Sequence, residues 1–233
     1  MAASEPKILV WDAPVRVFHW LLVLCFFGAF LSAESERWRL LHVSLGYTLG
    51  GLVAFRLVWG VLGTRYARFR SFVRGPQALV RYGQTLLSGH PERHVGHNPA
   101  GALAIVALLL CSVLIVASGW AIYNDVGPEV LADWHEGAAK AMLLLVGVHV
   151  AGVLVASWLH RENLVRAMVR GTKAGPAQDG IARARYGLAL ALVAAVLGFW
   201  WLQWQSAPSA PLTSTAAEAA QYGARAHDGD DDD

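Results

Sequence analysis

Apolar residues gather into five long, nearly uncharged runs, at 14–33, 40–62, 100–123, 134–159 and 186–205. A helix needs about 20 such residues to cross the hydrocarbon core of a bilayer, and each run supplies them. Strands would need short alternating segments instead, and lipid satisfies no free backbone group, so all five runs are predicted to be helices. Gly46, Gly50, Gly51, Gly147 and Gly152 fall inside them, where a missing side chain lets another helix or a cofactor approach closely. The expected fold class is all-α: a polytopic membrane protein with a four-helix transmembrane bundle and a fifth, C-terminal transmembrane helix.

The polar segments between the runs orient the chain. Between the second and third runs lie Arg65, Arg68, Arg70, Arg74, Arg81 and Arg93 against one acid, Glu92. Between the fourth and fifth lie Arg161, Arg166, Arg170, Lys173, Arg183 and Arg185 against Glu162 and Asp179. The connection after the third run carries Asp125, Glu129 and Asp133 with no basic residue. The positive-inside rule then places both basic segments and the N-terminus in the cytoplasm, and the C-terminus outside. Residues 206–233 are rich in Ala, Pro and Ser, end in an aspartate run, and are expected to form a disordered acidic external tail. The domains expected are a transmembrane core at 1–175, a linker with the fifth helix at 176–205, and this tail.

Composition agrees with a membrane protein: 55% of the 233 residues are hydrophobic and only 15% are charged, against roughly 25% in soluble domains. A net charge of +2 gives no reason to expect nucleic acid. Cys25 and Cys111 both sit in apolar runs without C-x-x-C spacing, which speaks against covalent c-type haem, zinc ribbons and thioredoxin chemistry. Arg16 and His19 interrupt the first run and no small-residue cleavage site follows, so no removable signal peptide is expected.

Nine histidines remain. His90, His94 and His97 fall in a loop and His227 in the tail, and they read as solvated. His19, His42, His135, His149 and His160 lie within runs or at their ends, where ionisable groups are costly and usually functional. His135 and His149 are 14 residues apart on one helix, about 21 Å and nearly four turns, so both rings emerge from almost the same face. Matching depths pairs His42 with His135 toward the outside and His19 with His149 toward the inside. Zinc needs three or four ligands converging on one point, whereas two imidazoles per metal suit a bis-histidine haem. Gly46, one turn after His42, leaves room for a porphyrin edge. A proton relay through the same histidines is not excluded by this geometry.

Several separated stretches carry a resemblance: Val10-Trp-Asp-Ala-Pro-Val-Arg-Val-Phe-His-Trp20, Leu41-His-Val-Ser-Leu-Gly-Tyr47, Trp134-His-Glu136, Gly147-Val-His-Val-Ala-Gly152 and Leu159-His-Arg-Glu-Asn-Leu164. Over roughly residues 7–175 the chain resembles bacterial cytochrome b561 and the b-type cytochrome subunits of nickel–iron hydrogenases. The resemblance implies a four-helix core with two haem b groups on His19, His42, His135 and His149. It also implies electron transfer between a periplasmic redox partner (a c-type cytochrome or a nickel–iron hydrogenase) and the quinone pool. Such a protein would lie in the bacterial inner membrane, as a homodimer or as a subunit of a complex. The alternative is a haem-free transporter or proton-conducting bundle using the same histidines.

Arg56 shares a face with His42 but lies toward the inner end, and Arg16 is one turn before His19. Each is a candidate partner for a haem propionate or an arginine snorkelling to the headgroups. His160, 11 residues after His149, is a candidate propionate or quinone contact. His97-Asn98-Pro99 reads as the start of the third helix, with Asn as cap and Pro in the first turn. Trp11, Trp20, Trp38, Trp120, Trp134 and Trp158 read as an interfacial belt.

Overall fold

The computed structural model describes residues 6–88 and 92–206. The tail, His90 and His227 lie outside the described residues. The chain divides into two compact units, 1–199 and 200–233, and the described part of the second is the last stretch of the final helix. Seven helices and two short strands make up the described elements: β1 (Lys7–Leu9), α1 (Ala13–Ser32), α2 (Arg39–Leu62), α3 (Pro76–Leu87), α4 (Pro99–Tyr123), α5 (Val130–Leu159), α6 (Leu164–Arg170), β2 (Thr172–Ala174) and α7 (Tyr186–Ser206). Five of them, α1, α2, α4, α5 and α7, are long and apolar enough to cross a membrane. This is a helical, multi-pass membrane protein. The boundaries follow the apolar runs closely, except that α5 begins at Val130 and so places His135 more than a turn inside its helix.

Local chemistry starts these helices. Asp12 caps α1 by accepting the Val15 N–H at 2.8 Å, with Pro14 in the first turn. Asn98 caps α4 by accepting the Gly101 N–H at 2.7 Å, ahead of Pro99. Both are standard ways to satisfy the free amides of a helix start. The second carboxylate oxygen of Asp12 accepts Trp59 Nε1–H at 3.0 Å and the Thr64 hydroxyl at 2.7 Å. One fully buried carboxylate thus ties the start of α1 to the end of α2.

Packing runs along the chain of neighbours α1–α2, α2–α4 and α4–α5. Small residues allow the close approaches. A Cβ on Gly28 of α1 would stand 2.7 Å from Leu45 of α2, and one on Gly50 of α2 would stand 3.0 Å from Val116 of α4. Among the described residues, neither α1 nor α2 packs along α5. The buried positions of α5 are only Ala138 and Met142.

The basic segments come together at one end of the bundle, as their charge pattern predicts. Arg65 pairs with Asp179 at 3.1 Å, and the buried Lys173 pairs with Glu162 at 3.3 Å and donates to the His94 carbonyl at 3.2 Å. At this end β1 and β2 form an antiparallel pair, Lys7 opposite Ala174 and Leu9 opposite Thr172. Gly171, at φ 84°, turns the chain from α6 into β2 and offers its carbonyl to the Val10 and Trp11 amides at 2.8 and 3.0 Å. Ile8, Val10, Trp11, Tyr66 and Ala167 close a small apolar core over this pairing. Trp11 therefore belongs to a buried cap and departs from the interfacial belt expected of it. The cap also holds His94, whose ring meets Tyr82 edge-on at 5.7 Å, so that histidine is packed where a solvated one was expected.

Candidate functional site

His42 on α2 and His135 on α5 meet across the cleft that separates their helices. Their ring centroids are 6.1 Å apart, with the planes at 69°. His42 Nδ1 donates to the Ala29 carbonyl at 2.8 Å. His135 Nδ1 lies 3.0 Å from the Ile115 carbonyl and 3.1 Å from Ser118 Oγ. The Ser118 hydroxyl itself donates to the Leu114 carbonyl at 2.7 Å, which leaves its lone pairs for the imidazole. With both Nδ1 atoms anchored to backbone, both Nε2 atoms are left for another partner. That is how metal-bound histidines are ordinarily oriented.

The spacing tests what that partner could be. Imidazole nitrogens hold a metal ion at about 2 Å, so two rings sharing one ion have centroids about 6 Å apart. The observed 6.1 Å matches. A Cβ on Gly46 would meet nothing within 4 Å, leaving open space one turn from His42. Among the described residues no group of three or more His, Cys, Asp or Glu gathers as a zinc site requires. Two backbone-anchored rings at this spacing, with free space at Gly46, fit a metalloporphyrin.

Nearer the basic end lie His19 of α1 and His149 of α5. His19 packs edge-on against Trp20 at 4.9 Å, and its Nδ1 is buried with no hydrogen-bond partner. Around this pair the arginines differ in placement. Arg56 is 4% exposed, so it does not snorkel to the headgroups; it lies 4.8 Å over the Phe69 ring, with Nη1 unpartnered. Arg16 donates from Nη1 to the Val169 carbonyl at 2.7 Å, bracing α6, and its Nε is unpartnered.

His160 ends α5 outside the cleft. Burial first, then the charges of Lys173 and Arg93, hold its pKa below the usual histidine value, and its carbonyl accepts from Arg93 at 3.5 Å. The structure brings His160 to the cap and sets the His42 ring against that of His135. Sequence reasoning missed Ser118 and Gly119, which seat the His135 ring: a Cβ on Gly119 would stand 2.8 Å from His135 Cε1. It also took His97 for a solvated loop histidine. That ring is wedged between Trp11 at 4.5 Å and Phe72 at 4.7 Å. Burial, with the charges of Arg56 and Lys173, pushes its pKa down to about 3, so the ring is neutral at ordinary pH.

Five long apolar helices, two of which bring imidazoles together, are those of a polytopic membrane protein. Residues 10–171 match the prokaryotic cytochrome b561 family, and the chain belongs to that family, whose b-type cytochromes carry haem b and transfer electrons in membranes. It is 30% identical to the probable nickel–iron hydrogenase 1 B-type cytochrome subunit of Escherichia coli K12, a match covering 50% of this chain and 60% of that relative. It is 21% identical to the probable nickel–iron hydrogenase B-type cytochrome subunit of Bradyrhizobium diazoefficiens, over 74% of this chain and 88% of the relative. The corresponding Azotobacter vinelandii protein is 24% identical over 72% of this chain and 89% of its own length. No solved structure matches the chain.

Proposed function

We propose that this protein carries electrons across the bacterial inner membrane through two b-type haems, one between His42 and His135 and one between His19 and His149. The observation that carries the reading is the 6.1 Å approach of His42 and His135 with both Nδ1 atoms tied to backbone. The haems would supply the one-electron chemistry, and the chain supplies axial ligands, spacing and a low-dielectric surround. Donation from Nδ1 to a carbonyl makes Nε2 a stronger ligand. Ala29, Ile115 and Ser118 therefore hold the outer rings in the ligating tautomer. Arg56, buried on the inner half of α2 with one nitrogen unpartnered, would meet propionate charge.

The hydrogenase names of the relatives support a nickel–iron hydrogenase as the electron donor or acceptor at one face, with a soluble c-type cytochrome as the rival partner there. Quinone would exchange electrons at the other face. The charge pattern supports a cytoplasmic basic end and N-terminus, which sets the His42–His135 site toward the periplasm.

Quantitative haem spectroscopy on the purified chain tests the proposal. The expected result is a dithionite-reduced b-type spectrum and a pyridine haemochrome near two haems per chain. His135→Ala should remove the outer haem and His149→Ala the inner, each sparing the other. A count near one defeats the two-site reading, and a colourless protein defeats the haem reading altogether.

A further inference from the structure

Five buried side-chain nitrogens among the described residues have no hydrogen-bond partner: Arg16 Nε, His19 Nδ1, Arg56 Nη1, Arg68 Nε and His97 Nδ1. Buried polar groups are almost always paired, so a cluster of exceptions points to a missing partner. All five belong to the basic end of the bundle, and three of them are arginine N–H groups that can only donate. The arginines call for an acceptor, and a cationic donor in a dry place is met best by an anionic one.

Among the described residues, the nearby carboxylate does not provide it. Asp12 is the carboxylate whose charge reaches Arg56, and its oxygens are already taken by the Val15 amide, the Trp59 indole and the Thr64 hydroxyl. Aromatic walls hold the donors in place. Phe69 lies under Arg56 at 4.8 Å and meets Phe72 at 5.9 Å, and Phe72 and Trp11 clasp the His97 ring from either side. The run of contacts Arg56–Phe69–Phe72–His97 keeps the arginine and the imidazole in one neighbourhood, where the charges of Arg56, Lys173 and His149 reach His97. Its backbone is pinned as well, because the next residue, Asn98, caps α4.

We infer that His97, together with Arg56 and Arg68, forms the seat of the inner haem's two propionates, with His97 donating from Nδ1 to a propionate oxygen. The inference rests on the inner haem proposed above. Two carboxylates against two guanidinium groups balance in charge, and a neutral imidazole adds a directional donor in a dry, aromatic-lined place. A lipid phosphate offers similar anion chemistry, and the experiment separates the two sources.

The test is optical redox potentiometry of the purified full-length holoprotein, with the inner haem identified as the one lost in His149→Ala. His97→Phe keeps the aromatic sandwich but removes the nitrogen. It should retain two haems and lower the midpoint potential of the inner haem alone, since an uncompensated propionate disfavours the added electron. His97→Gln, whose amide can still donate, should recover part of that shift. Unchanged potentials in His97→Phe, or an equal shift of both haems, would overturn the inference and leave the nitrogens to a lipid phosphate. Should His97→Phe fail to accumulate, His97→Gln decides: two haems with a smaller inner shift support the seat, and joint loss of both haems overturns it. A wild-type protein without an inner haem would defeat the two-haem proposal itself, whereas an inert His97→Phe in a two-haem wild type defeats only the seat.

Discussion

A methyl group at position 119 would stand 2.8 Å from Cε1 of His135, closer than nonbonded carbons tolerate. Overpacking of this kind costs about 1–3 kcal/mol, and each 1.4 kcal/mol is roughly tenfold in affinity. Gly119→Ala is therefore expected to deplete the outer haem and spare the inner, as read by the haemochrome count. The opposite logic applies at Gly46, where an added Cβ would meet nothing within 4 Å. Gly46→Leu should leave the helix content unchanged by circular dichroism yet exclude the outer haem, because the added volume fills only the cleft. The approach of His42 to His135 was legible in the sequence because helical rise converts residue numbers into depth; the match of 19 with 149 rests on the same arithmetic and belongs to the proposal. Ser118, Gly119 and His97 were not legible. Their roles depend on which side chain an adjoining helix brings opposite them, and periodicity along one strand of text carries no such information.

Helices α1 and α2 are joined through Asp12, and the strength of that joint can be measured. Asp12→Asn keeps an acceptor for the Val15 amide but puts an NH2 against the Trp59 and Thr64 donors. Losing charge-assisted bonds and stranding buried donors is expected to cost about 2–4 kcal/mol, seen as a lower thermal midpoint in detergent. Gly171 is the matching point in the cap: its φ of 84° and the 2.6 Å approach of a Cβ to the Trp11 carbonyl leave no room for alanine. Gly171→Ala should expose the β1–β2 pairing to limited proteolysis at the basic end while the spanning helices stay protected. The spans were readable from apolar length alone. The cap was not, since β1 and β2 have three residues each and pair only with one another. α3 hides its Tyr82 against the bundle while Gln77, Arg81 and Gln84 stay exposed, an amphipathic pattern inside a segment that reads as a charged loop.

For the molecule as a whole, the gathering of both basic segments at one end makes orientation a single question with a direct answer. In intact spheroplasts a membrane-impermeant maleimide should label Asp125→Cys and not Gln77→Cys; the reverse pattern would turn the protein over. Only Ala138 and Met142 of α5 are buried, so, if the proposed haems bridge α5 to α1 and α2, haem-depleted protein should show faster amide exchange in α5 than the loaded form. The strand pairing of Leu9 with Thr172 bears on how the chain is made. Leu9 must wait for a partner synthesised 163 positions later, beyond the first four spans. The N-terminal segment is thus a latch fastened last, and its closure marks a bundle whose insertion is already complete.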